Sequence, residues 1–118
     1  MPALNFKKVF KNKIVTGAKR STIRAFRKDG RDPCPGQTLF LYTGMRTKSC
    51  EKLGQEICRR TRPIRIQADG VIQAGGKPMS ARERLALFRV DGFDSPADFF
   101  DFFETTHGLP FEGVLIEW

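Results

Sequence analysis

A chain of 118 residues, 40% hydrophobic and 29% charged, has the length and composition of one ordinary globular domain spanning residues 1–118, with no room for a second. No apolar run approaches the roughly 20 residues of a membrane helix and the N-terminus lacks a signal-peptide core, so the chain reads as cytoplasmic and without a membrane partner. Three cysteines, Cys34, Cys50 and Cys58, are odd in number and lack C-x-x-C spacing, which argues against a zinc site and a disulfide framework and for free thiols; neither metal nor cofactor is expected.

In chain order, Phe6, Phe10 and Ile14 fall at i, i+4 and i+8, with Val9 beside them and Lys7, Lys8, Lys11 and Lys13 elsewhere. This predicts a short amphipathic helix with Asn5 as N-cap and Gly17 as terminator. Residues 21–26 read as a strand, and Lys28 to Pro35 as a loop. Pro35-Gly36 turns into a strand, Gln37 to Tyr42, that stops at Thr43-Gly44. Residues 45–56 are polar and without period, which makes Arg46 and Lys48 solvated unless their loop overhangs a site. From Ile57 to Gln67 apolar residues alternate with arginines, and Pro63 puts the middle of that strand at an edge or bulge. Asp69-Gly70 turns the chain into a short hairpin partner, Val71 to Ala74. Gly75-Gly76 then reads as a flexible connection, since no strand-to-helix junction makes it a phosphate loop.

Two helix starts follow. Ser80-Ala81-Arg82-Glu83 is a capping-box pattern opening a helix to about Arg89. After a sharp turn at Asp91-Gly92-Phe93, Ser95-Pro96-Ala97-Asp98 opens another, with Phe99, Phe102 and Phe103 on its core face and Phe100 widening the stripe. It ends near His107-Gly108, where the only histidine reads as a cap complementing the helix dipole. Leu109 to Gly113 leads into the last strand, Val114 to Trp118. The order predicts an α+β fold, a small and mostly antiparallel barrel with helices at its rim, without parallel crossovers and closed by the last strand, which buries Leu115 and Trp118.

The net charge of +8 is unevenly spread: residues 1–65 hold 17 Lys and Arg against 4 Asp and Glu, and residues 66–118 hold 4 against 9. If each half keeps to its own side, the +13 half draws phosphate-bearing partners. Within it, Gly17-Ala18-Lys19-Arg20-Ser21-Thr22-Ile23-Arg24 carries the densest chemistry. On an extended chain Thr22 and Arg24 leave one face and Ile23 the other, and Lys19 sits at the helix-to-strand corner. An ammonium, a hydroxyl and a guanidinium brought together suit an anionic or carbonyl-bearing ligand; the same pattern also reads as a basic turn before an edge strand.

Four segments carry a resemblance: Phe6 and Phe10 ahead of G-x-K-x-x-T-I-R (Gly17 to Arg24), P-G-x-x-L-x-L-Y-T-G (Pro35 to Gly44), D-G-F-D-S (Asp91 to Ser95) and L-P-F-x-G-x-L-I-x-W (Leu109 to Trp118). Over nearly the whole chain they resemble the activating-signal-cointegrator homology (ASCH) domain of the PUA-like superfamily, in its small stand-alone bacterial and phage form. The resemblance implies a PUA-like barrel of five or six strands with a cleft between barrel and helices that receives RNA or a nucleobase. Some small members remove the acetyl group of N4-acetylcytidine with a lysine and a threonine of the first motif and a glutamate before the last helix. Those positions fall on Lys19, Thr22 and Asp91, the last a departure one methylene shorter. Other members are ribonucleases.

Three readings follow. The first is a monomeric or weakly dimeric RNA- or modified-nucleobase-binding domain. Its basic cleft holds Lys19, Arg20, Thr22, Arg24 and Arg46, Phe26 and Tyr42 stack on bases, with Trp118 a weaker candidate, and Arg60, Arg62 and Arg65 extend the track. The second is an amidohydrolase in which Lys19 activates the Thr22 hydroxyl and Asp91 protonates the leaving amine. The third, a ribonuclease, ranks below both because the chain has no histidine pair or metal-ligand cluster.

Overall fold

A computed structural model describes residues 2–118, which form eight strands and three α-helices. These are β1 (Ala3–Phe6), α1 (Lys11–Val15), β2 (Ser21–Arg24), β3 (Thr38–Thr43), β4 (Glu51–Ile57), β5 (Arg60–Ile66), β6 (Ile72–Ala74), β7 (Lys77–Pro78), α2 (Ala81–Val90), α3 (Pro96–Thr106) and β8 (Phe111–Glu117). They make two sheets, ordered β1-β3-β4 and β2-β8-β5-β6-β7. All pairings are antiparallel except β1 with β3, which is parallel.

The α+β class holds, but the closed barrel does not: among the described residues no strand ladder joins the sheets. Side chains span part of the gap instead. Arg24 Nη2 donates to Asn5 O at 2.6 Å and Arg27 Nη2 to Ala3 O at 3.4 Å, so two guanidinium groups occupy carbonyls on β1 that a further strand would otherwise meet. The candidate site opens beside this seam.

The first predicted helix is corrected by the fold. Leu4 and Phe6 are buried and Asn5 between them is exposed, a period of two that the 3.6-residue reading of Phe6, Phe10 and Ile14 passed over. β1 pairs with β3, distant in sequence, from Ala3↔Phe40 to Phe6↔Thr43, and only a 3₁₀ turn at Lys8–Phe10 and the five residues of α1 remain helical. Asn5 therefore caps nothing; its Oδ1 accepts from the Met45 amide at 3.0 Å. Residues 45–56 are not wholly irregular either. They contain most of β4, which borders its sheet, and a largely exposed border strand needs no apolar period. The expected strand from Ile57 is split by a corner at Cys58-Arg59, while Pro63 sits one residue before the β5–β6 ladder begins at Ile64, the edge-like position its missing N–H requires. Gly75-Gly76 is no flexible connection but the two-residue turn of the β6–β7 hairpin, with φ of 60° and 82°, as a twist-matched tight turn demands.

Both later helices start as expected. Ser80 and Glu83 form a reciprocal capping box, and Ser95 Oγ accepts from Asp98 N at 3.1 Å with Pro96 in the first turn. The core lies between the sheets and these helices, with Phe99, Phe103, Leu39, Leu41, Ile66, Ile72, Leu115 and Ile116 almost fully enclosed. Burying each such side chain contributes roughly 1.5–3 kcal/mol. Trp118 is buried with its ring edge-on to Phe6 at 6.0 Å.

Candidate functional site

The corner between α1 and β2 is held from both sides. Gly17 follows the helix with φ of 82°, the left-handed conformation that favours glycine after a helix end. The Lys19 amide donates to Lys13 O at 2.9 Å and the Arg20 amide to Val90 O at 2.8 Å. This fastens the start of β2 against the end of α2, and the Lys19 side chain runs under the α2–α3 turn. Its Nζ donates to the Asp91 carbonyl and lies 3.5 Å from Asp91 Oδ1, each side chain being 3% exposed. Ser21 Oγ donates to the same carboxylate oxygen at 2.9 Å. The ammonium also stands 4.7 Å from the Phe10 ring centre.

Gly92 makes that passage possible. Its φ is 94°, and a Cβ there would sit 3.0 Å from Lys19 Cδ and 3.2 Å from Phe10 Cδ1, so both backbone conformation and space call for glycine.

Alternation along β2 does what the sequence implied. Arg24 Nε donates to Thr22 Oγ1 at 3.0 Å, so the two polar groups share a face, and the guanidinium rests 4.7 Å from the Phe6 ring centre. Lys19, Thr22, Arg24 and Asp91 all line one cavity of about 280 Å³ whose walls include Phe6, Phe10, Phe93 and Phe102. Lys19, Thr22 and Asp91 are buried and Arg24 is half-buried.

Burial sets the electrostatics. Desolvation lowers the Lys19 pKa against the opposing pull of Asp91, with Arg24 adding to the lowering. Desolvation raises the Asp91 carboxyl despite Lys19, Ser21 and Arg24. Burial thus disfavours the charged form of each group, while their mutual attraction favours it. Arg24 is lowered to about 10, again chiefly by desolvation. Such a set can donate and accept hydrogen bonds and exchange a proton beside the aromatic walls of the cavity.

Other predicted site residues lie elsewhere. Arg20 Nε donates to Trp118 O at 3.2 Å and borders a separate groove with Arg59 and Arg60. Phe26 is exposed, Tyr42 is half-buried within β3, and Arg46 is exposed in a left-handed conformation; none of the four lines the cavity, and neither does Trp118. The proposed track of Arg60, Arg62 and Arg65 is occupied by ion pairs with Glu117 and Glu112. Those pairs, with Lys13–Asp94 at 2.8 Å, interleave the basic and acidic halves, because β5 from one lies against β8 from the other. The two halves do not keep to separate sides.

Conversely, sequence reasoning passed over three contributors. Ser21 steadies Asp91, and Lys7 and His107 line the cavity. His107 ends α3 where expected, but its ring lies against Phe103 and Phe111 at 5.9 and 4.6 Å. Burial and then Lys7 lower its pKa, which works against the dipole-complementing charge expected there. Only the hydroxyl next to Thr22 was a usable signal; nothing distinguished Lys7 from its neighbouring lysines.

Among the described residues no group of three or more His, Cys, Asp or Glu side chains is placed to hold a metal ion, and no helix is long and apolar enough to cross a membrane. No protein-family model matches the chain, and no curated protein or solved structure is significantly similar to it.

Proposed function

We propose that the cavity binds a nucleobase or nucleoside, free or within RNA, and that the chain is a cytoplasmic ASCH-type domain with a PUA-like arrangement. The observation that carries this reading is the convergence of Lys19, Thr22, Arg24 and Asp91 on one aromatic-walled cavity. Its volume is near the lower bound of about 300 Å³ for small-molecule sites, which suits one base with its sugar and not a longer strand. Phe10 and Phe93 offer apolar surface to a ring, Thr22 offers a donor to a carbonyl oxygen, and Arg24 offers donors to a carbonyl oxygen or a phosphate. Mostly antiparallel sheets flanked by helices, with the cavity between them, agree with the resemblance seen in the four motifs.

Calorimetric titration with the four ribonucleosides, N4-acetylcytidine and a short single-stranded RNA at low salt tests this. We expect saturable binding of at least one, weakened about tenfold or more by Arg24→Ala, since bonds from a charged donor are worth roughly 1.5–3 kcal/mol. Absence of binding to every probe overturns the reading.

One observation favours amidohydrolysis as a second reading: an amine lowered by burial stands against a carboxyl raised by burial, with a hydroxyl in the same cavity. In that chemistry neutral Lys19 takes the Thr22 proton, Oγ1 adds to the acetyl carbonyl, and the C–N bond breaks as Asp91 protonates the departing amine. Water then releases acetate from Thr22. Incubation with N4-acetylcytidine is expected to yield cytidine and acetate, and Lys19→Ala to abolish this. No cytidine above a buffer blank removes the hydrolase reading and leaves binding in place.

A further inference from the structure

The charges lining the cavity do not balance: Lys7, Lys19 and Arg24 stand against one carboxylate, Asp91. On the buried floor Lys19 and Asp91 compensate each other. Arg24, half-buried, bonds only neutral acceptors, Thr22 Oγ1 and Asn5 O. Lys7, exposed, pairs with no carboxylate among the described residues, and its Nζ lies 4.9 Å from the Phe102 ring centre. Exposed His107 lines the same cavity.

We infer, building on the nucleobase reading, that the site takes a nucleotide rather than a bare nucleoside, with the base on the buried floor and a phosphomonoester held at the mouth between Lys7, Arg24 and His107. Two uncompensated cations match a phosphomonoester, which carries about −1.5 to −2 at pH 7. A guanidinium and an ammonium are the usual donors to phosphate oxygens, and an imidazole supplies at least one more N–H. The carbonyl end of α3 disfavours an anion; of its last four carbonyls, those of Phe103 and Glu104 accept from the His107 and Gly108 amides, which weakens that repulsion. The phosphate source is either a free mononucleotide or the phosphorylated end of an RNA strand.

The experiment compares the four ribonucleosides, their 5′-monophosphates, inorganic phosphate, and a short RNA with and without a 5′-phosphate, each by calorimetry and by proton NMR of the imidazole. His107 is the chain's only histidine, so its resonances need no assignment. We expect at least one monophosphate to bind about tenfold or more tightly than its nucleoside and to shift the His107 resonances, which the nucleoside leaves nearly in place. Lys7→Ala, at an exposed position, erases most of that preference. Tighter binding of the 5′-phosphorylated RNA than of any mononucleotide identifies a strand end as the source, and the reverse identifies the free nucleotide. Equal affinity for nucleoside and monophosphate overturns the phosphate inference while the nucleobase reading survives; no binding by any probe overturns both.

Discussion

Opposite charges meet in two regions of this molecule under opposite conditions. Along the β5–β8 ladder, Arg60 and Arg62 approach Glu117, and Arg65 pairs with Glu112, on side chains that keep a quarter or more of their surface in water in most cases. Under the α2–α3 turn, Lys19 and Asp91 are sealed from solvent with Ser21 as an added donor. Pairs of the first kind are worth about 0–1 kcal/mol, because water already solvates both ions and salt screens them. In the second kind the desolvation penalty rivals the attraction, so a hydrophobic pair would fold as well or better.

The sharpest way to break this comparison is to remove one buried partner. Asp91→Ala is expected to destabilise the fold by about 3–5 kcal/mol, since it leaves the buried Lys19 ammonium without its counter-charge; urea denaturation measures it. A cost below about 1 kcal/mol would mean that the buried pair behaves like a surface one.

A smaller effect appears with pH. Asp91 is raised above 3.8 and Lys19 lowered below 10.5, both chiefly by desolvation. Between 3.8 and the raised Asp91 value the native chain binds a proton that the unfolded chain lacks, so stability falls as pH rises through that window. Between the lowered Lys19 value and 10.5 the unfolded chain holds the extra proton, so stability climbs with pH. Urea midpoints across both ranges are expected to trace these slopes in the wild type and to flatten in a Lys19→Met/Asp91→Leu double variant. Identical profiles for the two proteins would remove the buried pair as their cause.

The smallest effect is expected from Arg65→Ala, which opens an exposed pair and exposes no core: a change of about 1 kcal/mol or less that shrinks further in high salt. A larger loss, read from the same denaturation curves, would place the β5–β8 ladder with the buried pair instead.

Much of the fold was legible because local chemistry decided it. Ser80 with Glu83 and Ser95 with Pro96 opened helices that their own caps and first turns specify. The run from Val114 to Trp118 was apolar enough to demand a buried strand, which begins three residues earlier, at Phe111. Alternation over Thr22, Ile23 and Arg24 put two polar groups on one face wherever β2 was to lie. Signals failed where a distant partner made the choice. Phe6, Phe10 and Ile14 satisfied a helical spacing, yet pairing with β3 drew Phe6 into a strand. β4 gains its form from the β3 ladder without an apolar period of its own. Arg20, adjacent to Lys19, was assigned to the cleft but turns to Trp118 on the other side of β2.

By itself the sequence determined the N-caps of α2 and α3, the buried phenylalanine stripe of α3, and the shared face of Thr22 and Arg24. Each rests on residues within one turn or one strand of each other, where backbone geometry leaves little choice. Tertiary structure alone decided that Asp91, 72 residues from Lys19, would neutralise it, that Ser21 would steady the carboxylate, and that Lys7 and His107 would stand at the cavity. It also decided that guanidinium groups, in place of a strand ladder, would bridge the two sheets. Those contacts join segments remote along the chain, and their energies come from burial and desolvation, quantities fixed only once the whole chain has packed.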